Sequence, residues 1–179
     1  FITGPNALQF LQKVTINDVR KLKVGQAQYS AMCYVDGGIV DDLILYRKSN
    51  GYLMVVNAAN IEKDYDWLSQ YVMSDTHLEN ISRDISLISL QGPRSRELLS
   101  KLTDVNLEMP FYTFEDGDVS GFSVMVSRTG YTGELGFEIY ASEEAVITIW
   151  NDLIKAGVKP AGLAARDILR MEMAYCLYG

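Results

Sequence analysis

The feature that most constrains the fold is a series of short apolar runs that tight-turn sequences join in pairs. Residues 27–34 and 43–47 flank the turn sequence DGG at 36–38, and SNG at 49–51 leads on into residues 52–56. Turns this short join antiparallel strands, because parallel strands need a crossover of about a dozen residues or more. The first part of the chain is therefore predicted to form an antiparallel sheet.

Single amphipathic helices separate these strands. Residues 7, 10, 11 and 14 are apolar at the i, i+3, i+4, i+7 spacing of one helix face, directly after a Gly-Pro-Asn start. Further helices are predicted over residues 61–72, with Asn57 or Asn60 as the N-cap, shortly after Pro93, and over residues 143–156 and 163–175. Further strands are predicted over residues 85–90, 111–114, 122–127 and 136–140. Paired strands with single helices between them favour an α+β fold, with mixed or antiparallel sheets and packed helices, over a doubly wound parallel sheet.

Charge and cysteine content exclude several classes of protein. A net charge of −7 argues against a nucleic-acid surface, which needs a basic stripe. No apolar stretch is long enough to span a bilayer, so no membrane partner is expected. Two distant cysteines and the single His77 do not make a zinc site, and few cysteines suit a reducing compartment. The chain opens on Phe1 without signal-peptide features, and we expect it to be an internal piece of a longer protein.

Two adjacent acids, Asp41 and Asp42, open the apolar run that continues to Tyr46. Side chains alternate between the two faces of a strand, so Asp42 shares a face with Ile44 and Tyr46, whereas Asp41 points to the other face. The two acids therefore cannot share a proton as a dyad. Either both cap the preceding turn through its backbone amides, or one is the acid on a pocket wall and its neighbour is structural.

A glycine-rich stretch, residues 127–140, surrounds Tyr131 and Glu138. Its glycines allow positive φ and close approach of a ligand, but their spacing does not match a nucleotide-binding loop. Glu138 lies between Phe137 and Ile139 in an apolar strand, so we expect it to face a cavity or a sheet edge.

The predicted last helix carries two arginines, Arg166 and Arg170, four residues apart on one face. A half-buried arginine needs a carboxylate, which either a ligand or the protein supplies. The candidate protein partners are Asp42, Glu138 and Glu172. A second face of this helix is an apolar stripe of Ala164, Ile168, Met171 and Tyr175.

Five stretches, in order along the chain, together resemble the glycine cleavage system T protein family. They are GGIVDDLILYR (37–47), VVNAANIEKDYDW (55–67), LQGP (90–93), SRTGYTGELGFEIY (127–140) and GLAARDILRMEMAYCLYG (162–179). The resemblance implies a tetrahydrofolate-dependent aminomethyltransferase in which Asp42 is catalytic, Asp41 is its structural neighbour, and no metal takes part. It implies folate contacts from Tyr29, Ile44, Asn57, Tyr131, Glu138 and Arg166.

The resemblance also implies the reaction and its setting. An aminomethyl group on the lipoyl arm of a carrier protein, the H protein, loses ammonia and passes its carbon to tetrahydrofolate. The expected location is the bacterial cytoplasm, or the mitochondrial matrix in a eukaryote. The whole of residues 1–179 is then the folate-binding region, with two intertwined α+β halves that meet near residues 84–110. Because family members carry an N-terminal segment and a C-terminal β domain that are missing here, we expect this chain alone to bind folate weakly, to be inactive and to form homodimers.

Three alternatives stay open at this point. One is a folate-dependent demethylase, or the folate half of a sarcosine-type oxidoreductase, because the folate-side residues do not read the carbon donor. Another is a non-catalytic folate-binding protein of the kind linked to iron–sulfur assembly. Such proteins resemble this chain but carry a cysteine where it has Arg128-Thr129-Gly130-Tyr131. The third is an α+β domain whose acids and arginines simply pair with one another.

Overall fold

The structure, a computed structural model, describes residues 1–178 and divides into two compact units. The first comprises residues 1–82 with Tyr178, and the second comprises residues 83–177. Both contain helices and antiparallel sheets, so the α+β prediction is confirmed. The division falls just before the range of 84–110 expected from the sequence, and the intertwining of the halves stays a prediction.

The first unit is built on a five-stranded sheet in the order β2-β3-β4-β1-β5. Its strands are β1 (Ile2–Thr3), β2 (Ala27–Cys33), β3 (Ile39–Lys48), β4 (Gly51–Val56) and β5 (His77–Leu78), and its helices are α1 (Ala7–Val14) and α2 (Ile61–Ser69). Short 3₁₀ turns at Val19–Lys21 and Ala58–Asn60 complete the connections. All strand pairs in this sheet are antiparallel, and the turn sequences predicted two of them, β2 with β3 and β3 with β4.

Helix α1 covers the core of the first unit with the face that the spacing predicted. Its four apolar residues are buried, and Phe10 and Leu11 are completely so. They belong to one apolar cluster with Leu43 and Leu45 of the sheet. Removing this much apolar surface from water fixes which face of β3 points inward.

The second unit is built on a four-stranded antiparallel sheet in the order β6-β9-β8-β7. Its strands are β6 (Ser86–Gln91), β7 (Phe114–Val119), β8 (Phe122–Ser127) and β9 (Gly136–Ala141), and its helices are α3 (Ser95–Leu99), α4 (Glu143–Lys155) and α5 (Leu163–Glu172). Helix α4 packs Ile149 and Leu153 against Phe137 and Ile139 of the central strand β9.

Several element boundaries differ from the sequence prediction, and the start of β3 differs most, since the strand begins at Ile39 rather than at residue 43. The strand expected at 111–114 begins only at Phe114, because Tyr112 has a φ of 63°, outside the strand region. Helix α2 ends at Ser69 rather than 72, and neither proposed asparagine caps a helix through its side chain. Helix α5 ends at Glu172 instead of 175, shortly before Ala174, whose φ is 56°.

Helix α5 carries its predicted apolar stripe, but none of its residues is buried. Ile168 is 52% and Met171 57% exposed. The periodicity predicted the helix correctly and does not by itself say what covers the stripe. No helix in the described part of the chain combines the length and apolarity needed to cross a membrane.

Candidate active site

The acid pair of β3 is split between the two faces of its sheet, as alternation predicted. Asp41 is completely buried on the face that carries Leu43 and Leu45, whereas Asp42 is half-buried on the face of Ile44. The turn before β3 is closed instead by Asp36, whose Oδ1 accepts from the Gly38 backbone N–H at 3.0 Å. The interpretation of both acids as turn caps is therefore wrong.

The Asp42 carboxylate is held by a donor on each oxygen. The Tyr29 hydroxyl donates to Oδ2 at 2.8 Å, and the Asn57 amide donates to Oδ1 at 2.7 Å. Tyr29 reaches it from β2, where it pairs with Ile44 in the register, and Asn57 lies directly after β4. The first unit thus brings together four residues that the sequence singled out. The two bonds fix the plane of the carboxylate and leave each oxygen further lone-pair capacity.

Asp41 is the anchor behind this arrangement. Its Oδ1 accepts from the Asn57 side-chain amide at 2.7 Å and from the Asp42 backbone N–H at 3.0 Å, and its Oδ2 accepts from the Asn57 backbone N–H at 3.3 Å. Burial acts to raise the pKa of Asp41, but hydrogen bonds from Asp64, Asn57 and Asn60 outweigh it and lower that pKa. Asn57 therefore joins the two acids, with one amide group donating to both.

Asp64 is a site residue that the sequence interpretation missed. It lies in α2 and is 1% exposed, on the helix face that also buries Leu68. Burial, together with the hydrogen bond to Asp41 and the charge of Asp41, raises the pKa of Asp64 to about 7. An acid four residues before Leu68, inside the predicted apolar face, was the signal that pointed to it.

Glu138 lies in the second unit, in the middle of its sheet rather than at an edge. In the register, Glu138 pairs with Ser89 of β6 on one side and Ser127 of β8 on the other. The Thr129 hydroxyl donates to its Oε2. Burial raises the pKa of Glu138, an effect that the Thr129 hydrogen bond, the Arg166 charge and a Tyr140 hydrogen bond reduce. The edge alternative is wrong, and the side chain is a desolvated acceptor on one face of the sheet.

Tyr131 forms an aromatic stack that includes Arg166. The Arg166 guanidinium carbon lies 4.6 Å from the centre of the Tyr131 ring, and Tyr175 is stacked at 5.9 Å with an interplanar angle of 21°. Arg170 instead forms an ion pair with Asp167 of its own helix at 2.7 Å, so none of the three predicted partners takes that role for it. The exposed Arg166 is the arginine that the structure places beside the glycine-rich stretch.

Gln91, at the end of β6, fixes the path of that glycine-rich stretch. Its Nε2 lies within hydrogen-bond distance of the carbonyl oxygens of Thr129 and Phe137, both at 3.3 Å. A Cβ built on Gly130 or Gly136 would lie 2.1 or 1.9 Å from the Gln91 Oε1. A side chain at either position would displace the Gln91 amide from these contacts, so the two glycines leave room for it.

Comparison with known proteins decides the family. The GCVT N-terminal domain model matches residues 1–179. The chain belongs to this family. The aminomethyltransferase of Anoxybacillus flavithermus is 52% identical over 99% of this chain and 51% of its own length. That of Flavobacterium psychrophilum is 50% identical over 100% of this chain and 52% of its own length.

Solved structures agree with this family assignment. The crystal structure of glycine cleavage system aminomethyltransferase T from Bartonella henselae matches with a TM-score of 0.82 and 32% identity, over 98% of this chain and 48% of that chain. A heterotetrameric sarcosine oxidase from Corynebacterium matches with a TM-score of 0.51 at 17% identity, over 78% of this chain and 69% of that chain, which shows the fold alone. The chain spans about half the length of the curated relatives it matches. The resemblance to the T protein family is confirmed.

Proposed function

We propose that this chain is the folate-binding part of a tetrahydrofolate-dependent aminomethyltransferase of the glycine cleavage system. Its substrates are the aminomethyl-lipoyl H protein and tetrahydrofolate, and its products are ammonia, methylenetetrahydrofolate and the dithiol form of the lipoyl arm. The names of the relatives support the reaction class, and their bacterial sources support a cytoplasmic location. The observation that carries the proposal is the Asp42 carboxylate, held on both oxygens by Tyr29 and Asn57.

The residue types present fit a folate. A pterin ring presents adjacent N–H donors on its guanidine-like edge, and Glu138 supplies a desolvated carboxylate acceptor whose own donor, Thr129, leaves lone pairs available. The glutamate tail of folate is anionic and suits the exposed Arg166. Tyr131 is already ordered by its stack with Tyr175, which lowers the entropic cost of packing a flat ring against it. Among residues 1–178 no cluster of metal-ligating side chains is present.

Tetrahydrofolate supplies the nucleophilic amine that accepts the one-carbon unit. The residues of this chain orient that amine and stabilise the charge that develops during transfer. Asp42 is the acid that stabilises positive charge developing next to it, or accepts the proton that leaves the amine. Its two hydrogen bonds hold the carboxylate in place before the reaction, so little reorganisation is needed when charge develops. Tyr29 and Asn57 are therefore assigned to orienting Asp42, and the folate contacts proposed for them and for Ile44 are secondary to that role.

The test is binding of tetrahydrofolate by calorimetry, followed by a turnover assay with aminomethylated H protein. We expect the full-length protein to bind tetrahydrofolate and to release ammonia only when both substrates are present. A matched assay with dimethylglycine or sarcosine as the carbon donor, together with an electron acceptor that takes the two electrons released when the methyl group is oxidised, addresses the demethylase and sarcosine-type alternatives. Turnover with those donors and none with the H protein contradicts the proposal, as does tetrahydrofolate binding without any transfer.

A further inference from the structure

Asp64 is a buried acid whose two carboxyl oxygens lack a hydrogen bond of normal geometry. Its side chain is 1% exposed, and within residues 1–178 neither carboxyl oxygen accepts a hydrogen bond of normal geometry; the Lys63 ammonium, a cation beside it, lies 3.4 Å from Oδ1. Its hydrogen-bond partner is the Asp41 carboxyl, which is itself completely buried. Two carboxylates are both acceptors, so a bond between them requires a proton on one of them.

The charges around Asp64 indicate which acid carries that proton. Strand β3 contributes Asp41, helix α2 contributes the Lys63 ammonium, and the nearby asparagines, Asn57 and Asn60, are neutral. Lys63 lies 3.4 Å from the Asp64 Oδ1, but it donates to the Val40 carbonyl and to the Tyr178 hydroxyl. Two buried acids therefore share one cation, two of whose three N–H donors have other acceptors. Asp41 already accepts three hydrogen bonds from Asn57 and the Asp42 backbone, so the proton belongs on Asp64.

We propose that Asp64 is a positioning residue that, in its protonated form, donates a hydrogen bond to Asp41 and thereby orients Asn57 and Asp42. A series of hydrogen bonds links Asp64 to Asp42 through Asp41 and Asn57. Asp64 donates to Asp41, Asp41 accepts from both the side chain and the backbone of Asn57, and Asn57 donates to Asp42. Its effect on activity rests on the proposed function, in which Asp42 is catalytic; its effect on Asn57 does not.

The arrangement makes the site sensitive to pH near neutrality. Loss of the proton places a second negative charge beside Asp41 in a buried environment, where like charges repel strongly. Asp41 is then pushed away from Asp64, and the amide of Asn57, which follows Asp41, moves relative to Asp42. The raised pKa of Asp64, about 7, puts this change within the range in which the enzyme would work.

The experiment in the full-length protein compares Asp64→Asn with Asp64→Leu. Asparagine keeps the shape and a permanent N–H donor, whereas leucine keeps the volume without a donor. We expect kcat of Asp64→Asn to stay within about twofold of wild type, and its pH profile to lose the fall above neutrality. Asp64→Leu should lower kcat about 10- to 100-fold with KM for folate little changed, in the range for removing a residue that orients a catalytic group. Asp66→Asn, at an exposed position of the same helix, is the control and should leave rate and profile unchanged.

A second measurement uses NMR on the full-length protein and needs no activity. The ¹³C-labelled Asp64 carboxyl should titrate near neutrality, and the Asn57 side-chain amide signal should move with the same midpoint in wild type and stay fixed in Asp64→Asn. An Asp64 that titrates at about 4, as in a model peptide, overturns the proposal. So does an Asn57 amide signal that does not change as Asp64 titrates. If the NMR result holds and the full-length protein transfers no aminomethyl group, the proposed function fails and the carboxyl pair stands. Equal loss of kcat in the asparagine and leucine variants, with both folded, also overturns the positioning role.

Discussion

Replacing Gly136 by alanine tests whether Gln91 holds the glycine-rich stretch in place. The new Cβ would lie 1.9 Å from Oε1 and 2.3 Å from Cδ of Gln91, so the glutamine side chain must leave its position. Gln91 then loses its Nε2 contacts with the carbonyls of Thr129 and Phe137 and with the Ser89 hydroxyl. At about 1 kcal/mol for each net hydrogen bond, the cost is about 2 to 3 kcal/mol of the free energy of unfolding.

A double-mutant cycle measures this coupling directly. Gln91→Ala alone removes the same three contacts and should cost a similar amount. In the Gln91→Ala background the space next to Gly136 is open, so Gly136→Ala should add less than about 0.5 kcal/mol, giving a coupling energy of about 2 kcal/mol. Gly162→Ala, where a Cβ meets nothing within 4 Å, is a control expected to cost under about 1 kcal/mol.

The assay exploits the two tryptophans of the chain, which lie in different units. Trp67 belongs to the first unit and Trp150 to the second. In a Trp67→Phe background, urea unfolding followed by fluorescence reports on the second unit through Trp150 alone. Costs of the two single variants that simply add in the double variant would refute the account, because they would show that Gln91 and Gly136 do not share one space.

Three further predictions concern the acids and Arg166. Asp42→Asn should lower the rate of transfer by about two to three orders of magnitude while tetrahydrofolate binding by calorimetry persists, whereas Asp41→Asn should lower stability more than rate; exchanged phenotypes would contradict the face assignment. Glu138→Gln should weaken binding of tetrahydrofolate and of a pterin without a tail, and Arg166→Ala should weaken only the former; equal losses in the Arg166 variant would make it a structural residue. Because the folded-state pKa of Asp64 is raised from 3.8 to about 7, the folded protein binds more protons between these values, and stability falls as pH rises through them. This group should make the protein about 2 to 3 kcal/mol less stable at pH 8 than at pH 5, and urea unfolding of Asp64→Asn should show no such difference.

Apolar spacing and turn sequences predicted the helices and strands correctly where an element buries one face within its own unit. The spacing of Phe10 and Leu11 gave α1 within its observed bounds, and the turn sequences gave the antiparallel order of β2, β3 and β4. Errors arose where the backbone dihedral angles of a single residue determine the start or end of an element. The positive φ of Tyr112 has no sequence signal comparable to a glycine, so the start of β7 was misplaced.

The candidate site was predictable in its members and less so in its contacts. Alternation along β3 correctly separated Asp41 from Asp42, since it depends only on strand geometry. The role of Asn57 was not predictable, because a local rule offers an asparagine before a helix as a cap, and here two acids from a distant strand compete for its amide. Asp64 was missed for the same reason, since its partner lies 23 positions earlier in the chain and only the tertiary fold joins them.

The position of β1 has a consequence for how the first unit folds during synthesis. Ile2 pairs with Tyr52 on one side and Leu78 on the other, so β1, which is made before β4 and β5, lies inside the sheet between them. That strand has no partner until β4 has been made, and β5 cannot join the sheet without it. Contacts this distant in sequence slow folding, because loop closure must precede the gain from pairing. Deletion of residues 1–3 should therefore release β5 as well as β1, and the nascent first unit should stay protease-sensitive until about Leu78 has emerged.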